Sequence, residues 1–405
     1  MRDDERMLGG LLAASHLAAL EDLPALVAEH AAVVGISQPM IYLSDLQGRF
    51  LAPLPGQHDE AGRPLGSMGV DATVAGRAYR NVEVVRVPAA EAAEGGASRK
   101  MWVPLLNGTD RVGVLGLTAS VDDEHAERHA TSLASLIGLL VVSKRDSSDA
   151  YARLLRAERM TLSAEVLWNL MPPGTVATDE IVVSAVLEPA YEVGGDAYDY
   201  ATDGDKVHLS IFDAMGHDTE AGLTASVAIG CYRNTRRKGT DLLTVSETID
   251  EAIAEQFAVQ RFATGILATL DTRTGSLTWI NRGHHPPLVI RHGRQVATLE
   301  TTPSPPMGLR LGATVGPANY QLEPGDRLLF YTDGIIEARN PDNEVFGLER
   351  FIDFVIRREA DGMPAPETLR RLIQTILDHQ HGVLQDDATV VLVEWHAQRH
   401  DRLTV

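Results

Sequence analysis

Glu192–Tyr200 reads EVGGDAYDY, two glycines followed directly by an aspartate, Asp196, and then by the aromatic pair Tyr198 and Tyr200. The fold turns on whether Asp196 stands alone or belongs to a set of carboxylates gathered from distant parts of the chain. Asp196 lies in the Gly-rich turn after a strand expected over Ile181–Leu187. Three further sites share its setting. Asp213 follows directly on the alternating segment Lys206–Phe212 (KVHLSIF). Asp333 follows the apolar Arg327–Tyr331, and Asp386-Asp387 immediately precede the strand expected from Ala388 to Trp395. Neighbouring antiparallel strands carry opposite ends on the same sheet edge. Aspartates at two C-terminal strand ends and one N-terminal end can therefore share a rim.

Each aspartate alone reads as an ordinary turn or cap residue, and Asp203-Gly204-Asp205 is kept in that class. All four sites falling at strand ends, several beside glycine, points to a common role. Carboxylates gathered without basic partners repel one another, and a cation relieves the repulsion. Oxygen ligands select Mg²⁺ or Mn²⁺ over zinc. Several carboxylates can hold two such ions and activate a water between them.

Composition narrows the alternatives. Among 405 residues, 56 are acidic and 36 basic, a formal charge of -20 that argues against nucleic acid or an anionic membrane as partner. A single cysteine, Cys231, excludes an intramolecular disulfide framework. The N-terminal MRDDERMLGG lacks the basic patch of a signal peptide. The longest membrane-like run, Leu133–Ser143, is short of the ~20 residues a bilayer requires. The expectation is a cytoplasmic protein.

The chain reads in three parts. Helical periodicity over 8–34, interrupted at Pro24, leads into strands near 40–43, 83–87, 100–105 and 112–117 and a helix over 122–143, a small α+β domain assigned to residues 1–146. Residues 147–174 read as a linker helix, free of Gly and Pro through Met171 and stopped by Pro172-Pro173-Gly174. Its stripe of Leu154, Leu155, Leu162, Val166, Leu167 and Leu170 either packs on a domain or pairs with a second chain. Residues 175–397 alternate hairpin strands with paired helices, which predicts antiparallel sheets covered by helices.

Gly-Gly-Asp also invites comparison with nucleotide cyclases. That reading fails, because Ala197 stands where the chemistry requires an acid and no Gly-rich nucleotide loop accompanies it. A different series of motifs is specific: EPAYEVGGDAYDY, IFDAMGHDTEAGLTAS, NRGHHPPLVI, PPMGL, LLFYTDGIIEARN, FGLERF and DDATVVLV, in that order. It resembles the PPM (protein phosphatase 2C-like) serine/threonine phosphatases of the bacterial SpoIIE/RsbU branch, over about residues 165–396. The resemblance implies an α-β-β-α sandwich with two Mn²⁺ or Mg²⁺ ions at one edge. Asp196, Asp213, Asp333 and Asp386 are then catalytic metal ligands, the Ala214 carbonyl assists and Asp387 sits beside them. Asp218 stands where the family often has glycine, and Ala214 also departs from a frequent glycine. Residues 20–145 are more loosely similar to a GAF sensor domain. His125 and His129, four apart, read as a solvated helix face.

The resemblance implies a metal-dependent phosphatase acting on phosphoserine or phosphothreonine of a regulatory protein of the anti-sigma-factor antagonist type. Gly216 and His284 are candidates for contact with its phosphate, although His284 also suits a structural loop role. Control is expected from a small-molecule or protein signal at the GAF-like domain, passed through a homodimer of the linker helix by Leu155, Leu162, Val166 and Leu170. The alternative is a catalytically weak sensor-scaffold that binds a signalling partner.

Overall fold

The computed structural model of the chain describes residues 3–59, 61–87, 98–120, 125–156, 158–189, 191–192, 194–302, 304–311, 316–382 and 384–396. The chain divides into two units, Met1–Arg159 and Met160–Val405.

The first unit contains α1 (Asp3–Ser15), α2 (Leu23–Ala31), β1 (Ser37–Ser44), β2 (Phe50–Pro53), β3 (Met68–Gly69) and α3 (Val74–Asn81). It continues with β4 (Val85–Val87), β5 (Ser98–Asn107), β6 (Asp110–Ser120), α4 (Ala126–Arg145) and α5 (Asp149–Leu155). Pro24 sits in the first turn of α2, where its missing N–H costs nothing. The strands form one sheet in the order β3-β2-β1-β6-β5-β4. Strand alternation sorts the two faces. Ile41, Leu43, Met101 and Val103 pack with Leu11, Val27, Leu133 and Ile137 of α1, α2 and α4. Tyr42, Trp102 and Val114 turn the other way, onto Ala78 and Tyr79 of α3. His129 is half-buried, its Nε2 2.8 Å from a carboxylate oxygen of Asp4, so this contact joins α4 to α1.

The second unit opens with α6 (Leu162–Leu170), β7 (Thr175–Ala177), β8 (Ile181–Glu188), β9 (Asp196–Asp203), β10 (Lys206–Ala214), α7 (Thr219–Arg236) and α8 (Leu242–Gln256). Then come β11 (Ala263–Asp271), β12 (Ser276–Arg282), β13 (Leu288–Arg291), β14 (Arg294–Thr298), β15 (Ala318–Gln321) and β16 (Arg327–Tyr331). The chain closes with α9 (Asp333–Ile336), α10 (Leu348–Ala360), α11 (Ala365–His379) and β17 (Ala388–Trp395). Two antiparallel sheets result, β15-β12-β11-β10-β9 and β14-β13-β16-β17-β8-β7. Period-2 alternation again assigns the faces. Leu328, Phe330, Val391 and Val393 join Leu209, Ile211 and Ile266 of the five-stranded sheet, and this cluster takes in Ile229 of α7 and Ile249 of α8. Leu329, Tyr331, Val390 and Leu392 pack instead against Phe351, Leu369 and Ile376 of α10 and α11. Each such fully buried Leu, Ile or Val contributes about 1.5–3 kcal/mol. The layers run helix, sheet, sheet, helix.

Two expectations need correction. The single helix expected over 147–174 is two helices. Ser148 and Thr161 each cap a new helix, accepting the N–H of Tyr151 and Ala164 at 3.2 Å, and Arg156 between them leaves the helical region. The apolar stripe divides accordingly. Leu154 and Leu155 pack on the first unit's core, while Ala164 and Leu167 are buried in the second. Leu162 is 65% exposed, and Val166 and Leu170 are half-buried. Second, Asp196 opens strand β9 and does not lie in a turn; only the glycines before it turn.

Candidate metal centre

Strands β9 and β10 pair so that Asp196 and Asp213 are register partners. Strands β16 and β17 pair through Tyr331 and Val390, and the ladder runs on as Thr332 donates its N–H to the Thr389 carbonyl at 3.1 Å. This places Asp333 and Asp386-Asp387 at one end of the six-stranded sheet. Hydrogen bonds stitch the two sheet ends together. Asp196 Oδ2 accepts the hydroxyls of Thr332 at 2.7 Å and Thr389 at 2.6 Å. Asp387 Oδ2 accepts three backbone N–H groups, from Gly194 at 2.8 Å, Gly195 at 2.7 Å and Asp196 at 3.0 Å.

The glycines of the opening stretch are explained by crowding. A Cβ on Gly195 would lie 2.3 Å from the Ala214 carbonyl oxygen, and one on Gly194 would lie 2.4 Å from His217 Cα. Gly334 is tighter, its Cβ falling 1.9 Å from the Asp387 carbonyl oxygen. Backbone passes backbone at this edge, and only glycine permits it.

Asp196 and Asp387 thus have protein donors. Among the described residues no donor meets the carboxylate of Asp213 or Asp333, and Asp386 accepts only the N–H of Asp387, at 2.9 Å. Electrostatics follow from this crowding. Burial, then the charges of Asp333, Asp386 and Asp387, pushes Asp213 up to about 7. Burial, then Asp213 and Asp387, raises Asp196 well above the carboxylate range. Asp386 is raised by burial and by Asp333. Asp387 is raised by burial against the opposing pull of its three N–H donors. Such a rim is short of positive charge.

Among the described residues no three His, Cys, Asp or Glu side chains converge tightly enough to cage a metal ion. The rim is an open arc. That suits Mg²⁺ or Mn²⁺, which keep several waters and need one or two carboxylates each. It does not suit zinc, which requires three or four converging ligands. The free carboxylates and the all-oxygen donor set fit a hard divalent cation.

His284 does not face this rim. It is buried, with Nδ1 2.8 Å from the Thr264 hydroxyl and Nε2 3.1 Å from the Tyr331 carbonyl oxygen. A carbonyl only accepts, so Nε2 carries the proton and Nδ1 accepts from Thr264. Burial, with His285 adjacent, lowers its pKa to about 3 and keeps it neutral. The phosphate contact expected of it is therefore replaced by a brace between β11 and β16. Gly216 is exposed at the loop after β10, with φ +89°.

Sequence reasoning missed the residues that support the rim. Thr332 and Thr389 had a signal, each lying within two residues of a rim aspartate in FYTDG and DDATV. Arg282 had little. It is 1% exposed, its Nε bonded to the Pro305 carbonyl at 2.8 Å and its Nη1 to the Ser246 hydroxyl at 3.0 Å. Met307, in the strap so held, exchanges backbone hydrogen bonds with Ala263 at the start of β11. The motifs NRGHH and PPMGL thus brace the strand beside Asp213. Helix α6 also reaches the site: the Thr161 N–H donates to the Tyr191 carbonyl at 2.9 Å, and a Cβ on Gly222 of α7 would lie 2.3 Å from Ser163 Cβ.

Two facing antiparallel sheets, helices on both outer faces and an aspartate edge define a phosphatase domain of the PP2C type. Residues 203–396 match the family described as Stage II sporulation protein E (SpoIIE), and this domain belongs to that family. Phosphatases of this type are metal-dependent. Over 261 residues, 56% of this chain and 40% of the relative, the chain is 26% identical to protein IcfG of Synechocystis sp.. Over 234 residues, 57% of this chain and 68% of the relative, it is 20% identical to the phosphoserine phosphatase RsbU of Bacillus subtilis. Among solved structures, the RsbU and RsbW domains of Rv1364c from Mycobacterium tuberculosis align at 23% identity with a TM-score of 0.48, over 55% of this chain and 63% of that one. The chain thus spans 40% to 68% of the length of these curated relatives. Among the described residues no helix is long and apolar enough to cross a membrane.

Proposed function

We propose that the chain is a Mg²⁺- or Mn²⁺-dependent protein phosphatase that hydrolyses phosphoserine or phosphothreonine on a regulatory protein of the anti-sigma-factor antagonist type. The observation that carries this is the gathering of Asp213 and Asp333, which meet no protein donor among the described residues, and Asp386, which accepts only the Asp387 N–H, beside Asp196 and Asp387 at one edge of a SpoIIE-family domain. Asp196, Asp213, Asp333 and Asp386, with the Ala214 carbonyl, would hold two cations, and Asp387 would hold the Gly194–Asp196 turn in place. When bound, the cations supply Lewis acidity, lowering the pKa of an attacking water and offsetting charge on phosphate oxygens. The chain's own part is to hold these carboxylates spaced and open to a phosphorylated loop, with Gly216 leaving the loop after β10 free of a side chain at the mouth.

The first unit is proposed as a GAF-like sensor for a small molecule or protein, acting in the cytoplasm. Its central antiparallel sheet with helices on both faces supports that assignment. Control is proposed to pass through residues 147–174 in a homodimer, with Leu162 as the exposed apolar residue of α6. The alternative is a catalytically weak sensor-scaffold that binds a signalling partner, and the intact set of rim carboxylates disfavours it. Phosphate release from a phosphorylated protein, with and without Mn²⁺, separates the two. Turnover abolished by EDTA and restored by Mn²⁺ is expected, and activity that survives EDTA overturns the metal mechanism.

A further inference from the structure

The loop that leaves β10 carries the exposed Gly216 and His217 and joins Asp213 to helix α7. Its first residues are held by backbone bonds. The Ala214 N–H donates to the Gly195 carbonyl at 3.0 Å, and the Met215 N–H donates to the Phe262 carbonyl at 3.0 Å. Beyond them one side chain does the holding. Arg261 donates from Nη1 to the Met215 carbonyl at 3.1 Å, from Nη2 to Asp218 at 2.8 Å and from Nε to Glu220 at 2.9 Å. These three partners lie before the loop's turn, at its end and in the first turn of α7. Asp218 also caps that helix, accepting the Ala221 N–H at 2.8 Å. The side chains of Asp218 and Glu220 are 55% and 63% exposed, whereas that of Arg261 is only 16% exposed, tucked beneath its partners.

Arg261 is itself well founded. Its carbonyl oxygen lies where a Cβ on Gly308 would come within 2.6 Å. Gly308 donates its N–H to Asp250, in the strap that buried Arg282 fastens. Support runs from the interior, through the strap and Arg261, to the loop.

We propose that Arg261 is a positioning residue, fixing the loop Ala214–Asp218 so that the Ala214 carbonyl and Asp213 present a cation-binding edge. The inference rests on the metal-dependent reading of the rim. A guanidinium suits this task because its planar fork reaches three acceptors at fixed angles, which a lysine ammonium on a flexible stem does not reproduce. Arg261 gives its hydrogen bonds to Met215, Asp218 and Glu220 and not to a rim carboxylate. Its loss acts on how well the edge is shaped for the cation.

The test is calorimetric titration of the full chain with Mn²⁺, alongside phosphatase rates measured across Mn²⁺ concentration. Arg261→Met is expected to weaken Mn²⁺ binding by roughly tenfold, the scale for groups that orient metal ligands, while kcat at saturating Mn²⁺ stays near wild type. Arg261→Lys should recover little of the loss. Asp218→Ser keeps a helix cap and removes one acceptor, so it should weaken binding by a smaller factor; it carries the test if Arg261→Met does not fold. Wild-type protein that binds no Mn²⁺ defeats the metal-dependent reading itself. Wild-type binding that Asp213→Asn abolishes, but that Arg261→Met and Asp218→Ser leave unchanged, overturns this inference alone.

Discussion

The carboxylate of Asp387 accepts the N–H of Gly195 at 2.7 Å, so the last strand of one sheet grips the turn that opens a strand of the other. Gly195 is in turn pressed on the Ala214 carbonyl, 2.3 Å from where its Cβ would stand. Gly195→Ala should therefore push the turn off Ala214 and displace Asp196 and Asp213 together. A misplacement near 1 Å costs on the order of 10²-fold in rate. We expect turnover to fall on that scale, with a lower melting temperature. Gly230→Ala, in α7 with open space around its Cβ, is the control and should leave turnover unchanged.

Aspartates at the two ends of the β9–β10 hairpin should behave oppositely. Asp213→Asn and Asp333→Asn each remove a free rim carboxylate and should cut turnover by roughly 10²-fold or more with the fold intact. Asp203 pairs with Lys206 at the far end of β9, about 23 Å from Asp196 at ~3.3 Å per residue. Asp203→Asn should leave kcat/KM unchanged. A loss at Asp203 equal to that at Asp213 would move the site elsewhere.

Most of the layered fold was legible because β10 alternates in sequence, while β16 and β17, buried along almost their whole length, read as short continuous apolar runs. Strand β9 was not. Its first four residues, Asp196 to Asp199, are all buried, so no period-2 pattern reaches the sequence. Asp196 is satisfied by Thr332 and Thr389, and Asp199 by Arg233 and Arg236, partners that only the fold brings near. Helix α3 was hidden by Gly76, which reads as a breaker. A Cβ there would come within 1.8 Å of the Val70 carbonyl oxygen, so packing overrides propensity. The rim aspartates were legible because strand ends and glycines flank them. Arg261 was not, since nothing local distinguishes it from a surface arginine.

His284 offers a test of brace against reagent. Replacing it with Phe leaves the Tyr331 carbonyl and the Thr264 hydroxyl unpaired in the interior, a cost of about 1–3 kcal/mol. Urea unfolding should show that loss. Turnover per folded molecule at saturating Mn²⁺ should keep its order of magnitude. A large drop in kcat with stability unchanged would return His284 to the chemistry.

Acid and metal should compete for Asp213. Burial and its neighbouring carboxylates hold it near 7 against an ordinary 3.8, so the folded chain binds this proton more tightly than the unfolded chain. The resulting stabilisation is complete below about pH 4 and lost as pH rises through about 7. Asparagine mimics the neutral form. In EDTA at pH 8, Asp213→Asn should melt above wild type by roughly 2–4 °C, and the gap should narrow as pH falls to 5. Added Mn²⁺ should raise the melting temperature of wild type and not of the variant. Equal melting at both pH values would show that Asp213 carries no such strain.

The last prediction concerns Leu162. It opens α6 at 65% exposure, one residue before Ser163, which presses on Gly222 of α7, and one after Thr161, whose N–H is tied to Tyr191 near the Gly194 turn. A partner covering Leu162 would thus bear on the segment adjoining both α7 and the turn held by Asp387. Control of this kind requires different contacts in two states, and half-buried Val166 lies one turn along the same helix. Leu162→Ser with Val166→Ser should weaken self-association in sedimentation and shift basal phosphatase rate, while Mn²⁺ affinity stays at the wild-type value. If the full chain sediments as a monomer and the double variant matches its rate, α6 takes no part in assembly or control.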